Sequence, residues 1–124
     1  MSVVVDAPVV LAWLQEEAGA DDAEPMLMDG VIGAANWSEV LHKSSQHGAP
    51  AGIVARLLVS FGLAVVDVTA EDAELAAQLW RSAPPLSLGD RLCLALGLRL
   101  GLPVATADVA WQRLRGGPSI ILIR

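Results

Sequence analysis

Apolar positions along this chain follow two periods. Short β-branched runs mark strands at residues 3–5, at GVIGA (30–34), LAVVDV (63–68), LPVAT (102–106) and SIILI (119–123). Between them the spacing changes to the three- and four-residue steps of amphipathic helices. APVVLAWLQEE reads as a helix with Pro8 in its first turn, where a missing N–H costs nothing. A second helix runs from Asn36 to about His47, stopped by HGAP, and a third, AGIVARLLVSFG, leads into the third strand. TAEDAELAAQLWRS has capping-box spacing from Thr69 to Asp72. Pro84 and Pro85 separate it from a leucine-rich helix that opens at SLGD, residues 87–90. A short helix, DVAWQRLR, fills the gap before the last strand.

Five apolar strands interleaved with helices predict an α/β domain with a mainly parallel sheet. The 124 residues show no repeat, linker or low-complexity tract, so one domain, 1–124, is expected. The opening MSVVVDAPVVLAWL is apolar but carries Asp6 and no basic leader. Neither a signal peptide nor a spanning helix fits it, and no membrane role is expected. A single cysteine, Cys93, leaves no disulfide framework and suits a reducing cytoplasm. A hydrophobic fraction of 54% is high for a free monomer, so part of the surface is expected to meet a partner.

Four acids share one local address, just after a strand or at the start of a helix: Asp6, Glu39 in NWSE, Asp90 in SLGD and Asp108 in TAD. Each has a local explanation. Asp6 and Asp108 can cap helices, Glu39 can complete a box with Asn36, and Asp90 with Ser87. Capping does not account for their meeting in space, and the carboxyl ends of parallel strands share one edge. Helical periodicity also turns Asp90 toward Cys93, Leu94, Gly97 and Leu98, the apolar side of its helix. Asp72 follows the third strand with the same local grammar and stays outside the cluster if that strand lies at the sheet edge. Two helices between the third and fourth strands pose a difficulty, because strict alternation leaves Asp90 at the wrong end of the sheet.

A net charge of -6 argues against nucleic acid, which favours a basic footprint. Clustered carboxylates weaken that inference if they bind a hard cation, since the ion brings positive charge to where a phosphate would sit, and the acidic balance is then no veto. Oxygen-only ligands suit Mg²⁺ or Mn²⁺ rather than zinc. His42 and His47 have no partner at ligand spacing and read as surface residues. Carboxylates holding such ions activate water and stabilise the oxyanions of a phosphodiester displacement.

The stretches VVVDAPVVLAWL, AANWSEVLHK, LSLGDRLCLALGLRLGLPVATAD and TADVAW resemble, in order and spacing, the motifs of PIN-domain ribonucleases, most closely the VapC-type toxins of bacterial toxin–antitoxin pairs. The resemblance implies a three-layer α/β/α sandwich with a parallel five-stranded sheet of order 3-2-1-4-5, which puts the third strand at an edge. It implies a metal-dependent endoribonuclease in which Mg²⁺ or Mn²⁺ activates the water that cleaves tRNA, rRNA or mRNA, leaving a 5′-phosphate and a 3′-hydroxyl. Asp6, Glu39, Asp90 and Asp108 match the family's acidic metal-binding quartet, with Asp6 and Asp90 as principal ligands. Thr106 matches a hydroxyl that supports the last acid. The family usually has Ser or Thr two residues after the first aspartate, where this chain has Pro8.

Lys43 and Arg91 are candidate RNA contacts beside the acids, with an i,i+4 pair to Glu39 as the plain alternative for Lys43; Arg113 and Arg115 are weaker ones. The resemblance further implies a homodimer and a VapB-like antitoxin that places a basic side chain among the acids. One other reading stays open, a PIN-like module that only binds; a phospho-acceptor receiver domain is the rival from another class, and it fails because only Asp6 follows the first strand. The receiver reading needs paired acids after the first strand and a lysine after the fifth, whereas the only lysine here is Lys43.

Overall fold

The computed structural model describes residues 2–80 and 85–123. In chain order it contains β1 (Val3–Val5), α1 (Ala7–Leu14), α2 (Ala20–Met28), β2 (Gly30–Gly33), α3 (Ala34–Gln46), α4 (Ala51–Phe61), β3 (Ala64–Val66), α5 (Ala70–Gln78), α6 (Leu88–Leu100), β4 (Val104–Thr106), a 3₁₀ turn (Val109–Arg113) and β5 (Ile120–Leu122). All strand pairs are parallel, in the order β3-β2-β1-β4-β5.

Side chains alternate across the sheet and so divide the core in two. Val3, Val5, Ile32 and Ala105 pack with α1, Leu27 of α2, Val40 of α3 and Val54 and Leu58 of α4. Val4 and Val104 face the other way, onto Cys93, Leu94 and Leu96 of α6, Leu79 and Trp111. The result is the expected three-layer sandwich. Trp13 of α1 stacks on Phe61 of α4, ring centroids 4.8 Å apart, and closes one end of the first layer. Gly97 lets α6 approach β4, since a Cβ there would lie 2.5 Å from Val104 Cγ2.

Two parts of the architecture depart from the sequence reading. Helix α2 has no counterpart in it, because Pro25 sits inside the helix and only Ala23 and Leu27 are buried. Asp21 and Asp22 at its positive end help it form. Helix α3 starts at Ala34 after Gly33, so Asn36 is its third residue, not its cap, and is buried. The expected end of the TAEDAELAAQLWRS helix at residues 81–82, and Pro84 of the following break, lie outside the described residues; α5 itself ends at Gln78.

The placement of α6 resolves the alternation difficulty. At one end of the α5–α6 pair, Arg91 Nη1 donates to the Ala76 carbonyl (3.3 Å); at the other, Arg99 reaches the Asp67 carbonyl and Asp72. Helices α5 and α6 therefore run antiparallel, and α5 carries the chain back so that α6 begins again at the carboxyl edge of the sheet. Among the described residues, no helix is long and apolar enough to cross a membrane.

Candidate active site at the carboxyl edge of the sheet

Asp6 follows β1 and caps α1, accepting a hydrogen bond from the Ala7 N–H at 2.9 Å. It is 3% exposed, and its other oxygen accepts the Thr106 hydroxyl at 3.0 Å. Burial pushes its pKa up from 3.8 to about 7. The Thr106 hydrogen bond works against that rise, and repulsion from Asp90 and then Glu39 adds to it. Asp6 thus sits where two other carboxylates reach it electrostatically, although β1, α3 and α6 are far apart in sequence.

Asp90 is the third residue of α6 and forms a reciprocal capping box with Ser87: each backbone N–H donates to the other's side chain at 3.1 Å. Its charge still reaches Asp6 and Cys93. Glu39, half-buried one turn after Asn36, pairs with Lys43 Nζ at 3.0 Å. Cys93 is buried within electrostatic reach of all three acids. Burial, then Asp6, Asp90 and Glu39, push its thiol well above its ordinary pKa and keep it neutral and unreactive.

Asp108 is exposed and caps the 3₁₀ turn through the Ala110 N–H at 2.9 Å. It joins the others by its backbone, its N–H donating to the Thr106 hydroxyl at 3.1 Å. Thr106 is fully buried, so this one hydroxyl links the backbone of the last acid to the carboxylate of the first.

Each of the four acids is satisfied by a local N–H or ammonium donor, as like charges at one edge favour. Consistent with that, no three His, Cys, Asp or Glu side chains among the described residues are gathered closely enough to hold a metal ion. The donor chemistry nevertheless fits a hard cation. Every candidate ligand is a carboxylate, and the buried one is driven toward its neutral form, a tendency that a divalent ion reverses. Gly89 adds room: a Cβ there would meet Glu39 Oε1, Ser87 Oγ and Asn36 Nδ2 at 3.7, 3.8 and 3.9 Å, so its absence leaves a gap between α3 and α6.

Other candidates have local occupations. Arg91 ties α6 to α5 through the Ala76 carbonyl. Arg113 and Arg115 are exposed near β5. His42 and His47 are exposed on α3 and just after it, and Pro8 is exposed on α1. Asp72 lies outside the cluster, buried beyond the edge strand β3, where Arg99 donates through Nε and Nη2 to both its oxygens. Asn36 is the residue that the sequence reading placed only as a cap. Its position one helical turn before Glu39, on the same face, was the available signal.

The chain belongs to the PIN domain family, whose model matches residues 3–117. Its fold is similar to a chain of a toxin–antitoxin complex from Klebsiella pneumoniae, with a TM-score of 0.76 at 18% identity over 96% of this chain and 95% of that one. It is similar to a chain of VapBC2 from Rickettsia felis, solved bound to a DNA fragment from their promoter (TM-score 0.74, 12% identity, all of both chains). It is also similar to VapC20 of Mycobacterium tuberculosis, a sarcin–ricin loop cleaving toxin (TM-score 0.66, 18% identity, 82% of this chain and 86% of that one). No curated protein matches the chain by sequence.

Proposed function

We propose that this PIN-domain chain is a VapC-type toxin, a Mg²⁺- or Mn²⁺-dependent endoribonuclease held in check by a VapB-like antitoxin. The observation that carries the reading is Asp6: a buried carboxylate, pushed up to about pH 7, with the charges of Asp90 and Glu39 upon it. A fold does not require such an arrangement and is weakened by it, so the cluster points to chemistry.

Asp6 and Asp90 are the principal ligands in this reading, and Glu39 and Asp108 complete or orient the set. The bound ion supplies activation of a water and neutralisation of phosphate charge. Thr106 orients Asp6 and fixes the backbone that carries Asp108. Lys43, released from Glu39 when that carboxylate turns to a cation, becomes available to an RNA phosphate, and Arg91, next to Asp90 in sequence, serves the same use when its side chain leaves the Ala76 carbonyl. The exposed apolar side chains Ile53, Leu57 and Val59 of α4, with Met28, Trp80 and Leu88, provide surface for the antitoxin and a second copy of the chain.

Sequencing the 5′ ends of cellular RNA after brief induced expression tests this reading. Discrete new ends are expected with the wild-type chain and absent with Asp6→Asn; identical end patterns from the two overturn it.

A further inference from the structure

Glu39 and Asp90 come from helices α3 and α6, and one side chain joins those helices at the acids. Asn36 is 1% exposed, and its Nδ2 donates to the carbonyl of Gly89, the residue before Asp90, at 3.2 Å. The same carboxamide stands one helical turn before Glu39. The gap left by the missing Gly89 side chain is bounded by Asn36 on one side and Glu39 on another. Asn36 Oδ1 is buried and finds no hydrogen-bond partner among the described residues. A buried acceptor without a donor opposes folding, so packing alone does not account for an amide at this position.

We propose that Asn36 is a positioning residue for the metal site: the Asn36–Gly89 hydrogen bond sets the separation between Glu39 and Asp90 and thereby the affinity for the ion. The inference rests on the metal-site reading above. Glycine at 89 serves the same end. Its backbone does not require glycine, since its φ lies outside the left-handed range, and a methyl group would fit in ordinary contact while filling the space between the two carboxylate-bearing helices.

Calorimetric titration of the metal-free chain with Mn²⁺ tests the proposal without reference to activity. Wild type takes up Mn²⁺, and Asn36→Ala binds about 10- to 100-fold more weakly while remaining folded by circular dichroism. Thr69→Ala serves as a control. It removes a cap of similar structural weight at the far end of the α5–α6 pair and keeps wild-type affinity. Equal binding by wild type and Asn36→Ala overturns the positioning role but leaves the metal site standing. Absence of Mn²⁺ uptake by wild type overturns both. If Asn36→Ala does not fold, Asn36→Leu gives the answer, since it fills a similar volume without the hydrogen bond or the unpaired acceptor: weaker Mn²⁺ binding with an unchanged or higher Tm supports the proposal, and unchanged binding overturns it.

Discussion

The hydroxyl of Thr106 donates to Asp6 Oδ2 at 3.0 Å across 100 residues of sequence, and both residues are buried. The Thr106 hydroxyl oxygen in turn accepts the Asp108 N–H. This contact locks the end of β4 to the end of β1 and lowers the pKa of a carboxylate that burial and its neighbours raise. Thr106→Val keeps the shape and removes both hydrogen bonds. The expected result is a loss of about 1 kcal/mol in stability and a fall of roughly tenfold or more in RNA cleavage. The acid limb of the pH–rate profile should move to higher pH, as Asp6 becomes harder to ionise.

The raised pKa of Asp6 also predicts how the metal-free protein responds to pH. The folded chain keeps a proton on Asp6 up to about pH 7, whereas the unfolded chain releases it near 3.8. Between these values the folded state binds more protons, so stability falls as pH rises through the window. At 1.36 kcal/mol per pKa unit, the full effect is on the order of 4 kcal/mol. Thermal melts in EDTA at several pH values should show Tm declining toward neutrality, and Asp6→Asn should flatten the decline. Saturating Mg²⁺ should oppose it, because the ion binds the ionised form.

Asp72 and Arg99 separate fold from function. Burial acts to raise the Asp72 pKa, but the hydrogen bonds from Arg99 and from the Thr69 N–H outweigh it and hold the carboxyl below its ordinary value. Arg99→Leu leaves that carboxylate buried without its partner. The expected cost is about 3 kcal/mol in denaturant unfolding, with RNA cleavage by the folded fraction unchanged.

Gly97→Ala tests the packing of α6 on the sheet. The added Cβ would stand 2.5 Å from Val104 Cγ2 and 3.1 Å from the Leu102 carbonyl. Helix propensity favours alanine, yet the crowding should lower stability by about 2 kcal/mol, read as a lower denaturant midpoint with an unchanged slope.

Much of this architecture was legible because strand and helix ends carry strong local signals. The β-branched runs located all five strands, and Ser87–Asp90 and Thr69–Asp72 marked two helix starts that form as capping boxes. Helix α2 was not legible: Pro25 argues against a helix, and only Ala23 and Leu27 bury a face, so tertiary packing decides. In the sequence Asn36 reads as a cap, because Gly33, Ala34 and Ala35 carry no helix-start signal. Its tie to Gly89 spans 53 residues, which no local pattern reveals. The return of α6 to the carboxyl edge is likewise visible only in long-range contacts such as Arg99–Asp72 and Arg91–Ala76. The four acids could be picked out one by one, but the burial of Asp6 and the dual role of the Thr106 hydroxyl emerge only from the folded chain.

The most direct test of the central claim is RNA cleavage by purified protein with and without divalent metal. Wild type should degrade RNA in Mg²⁺ or Mn²⁺ and stop on addition of EDTA. Asp6→Asn and Asp90→Asn should each abolish cleavage while melting as folded proteins. Cleavage that persists in EDTA, or full activity in Asp90→Asn, would contradict the account.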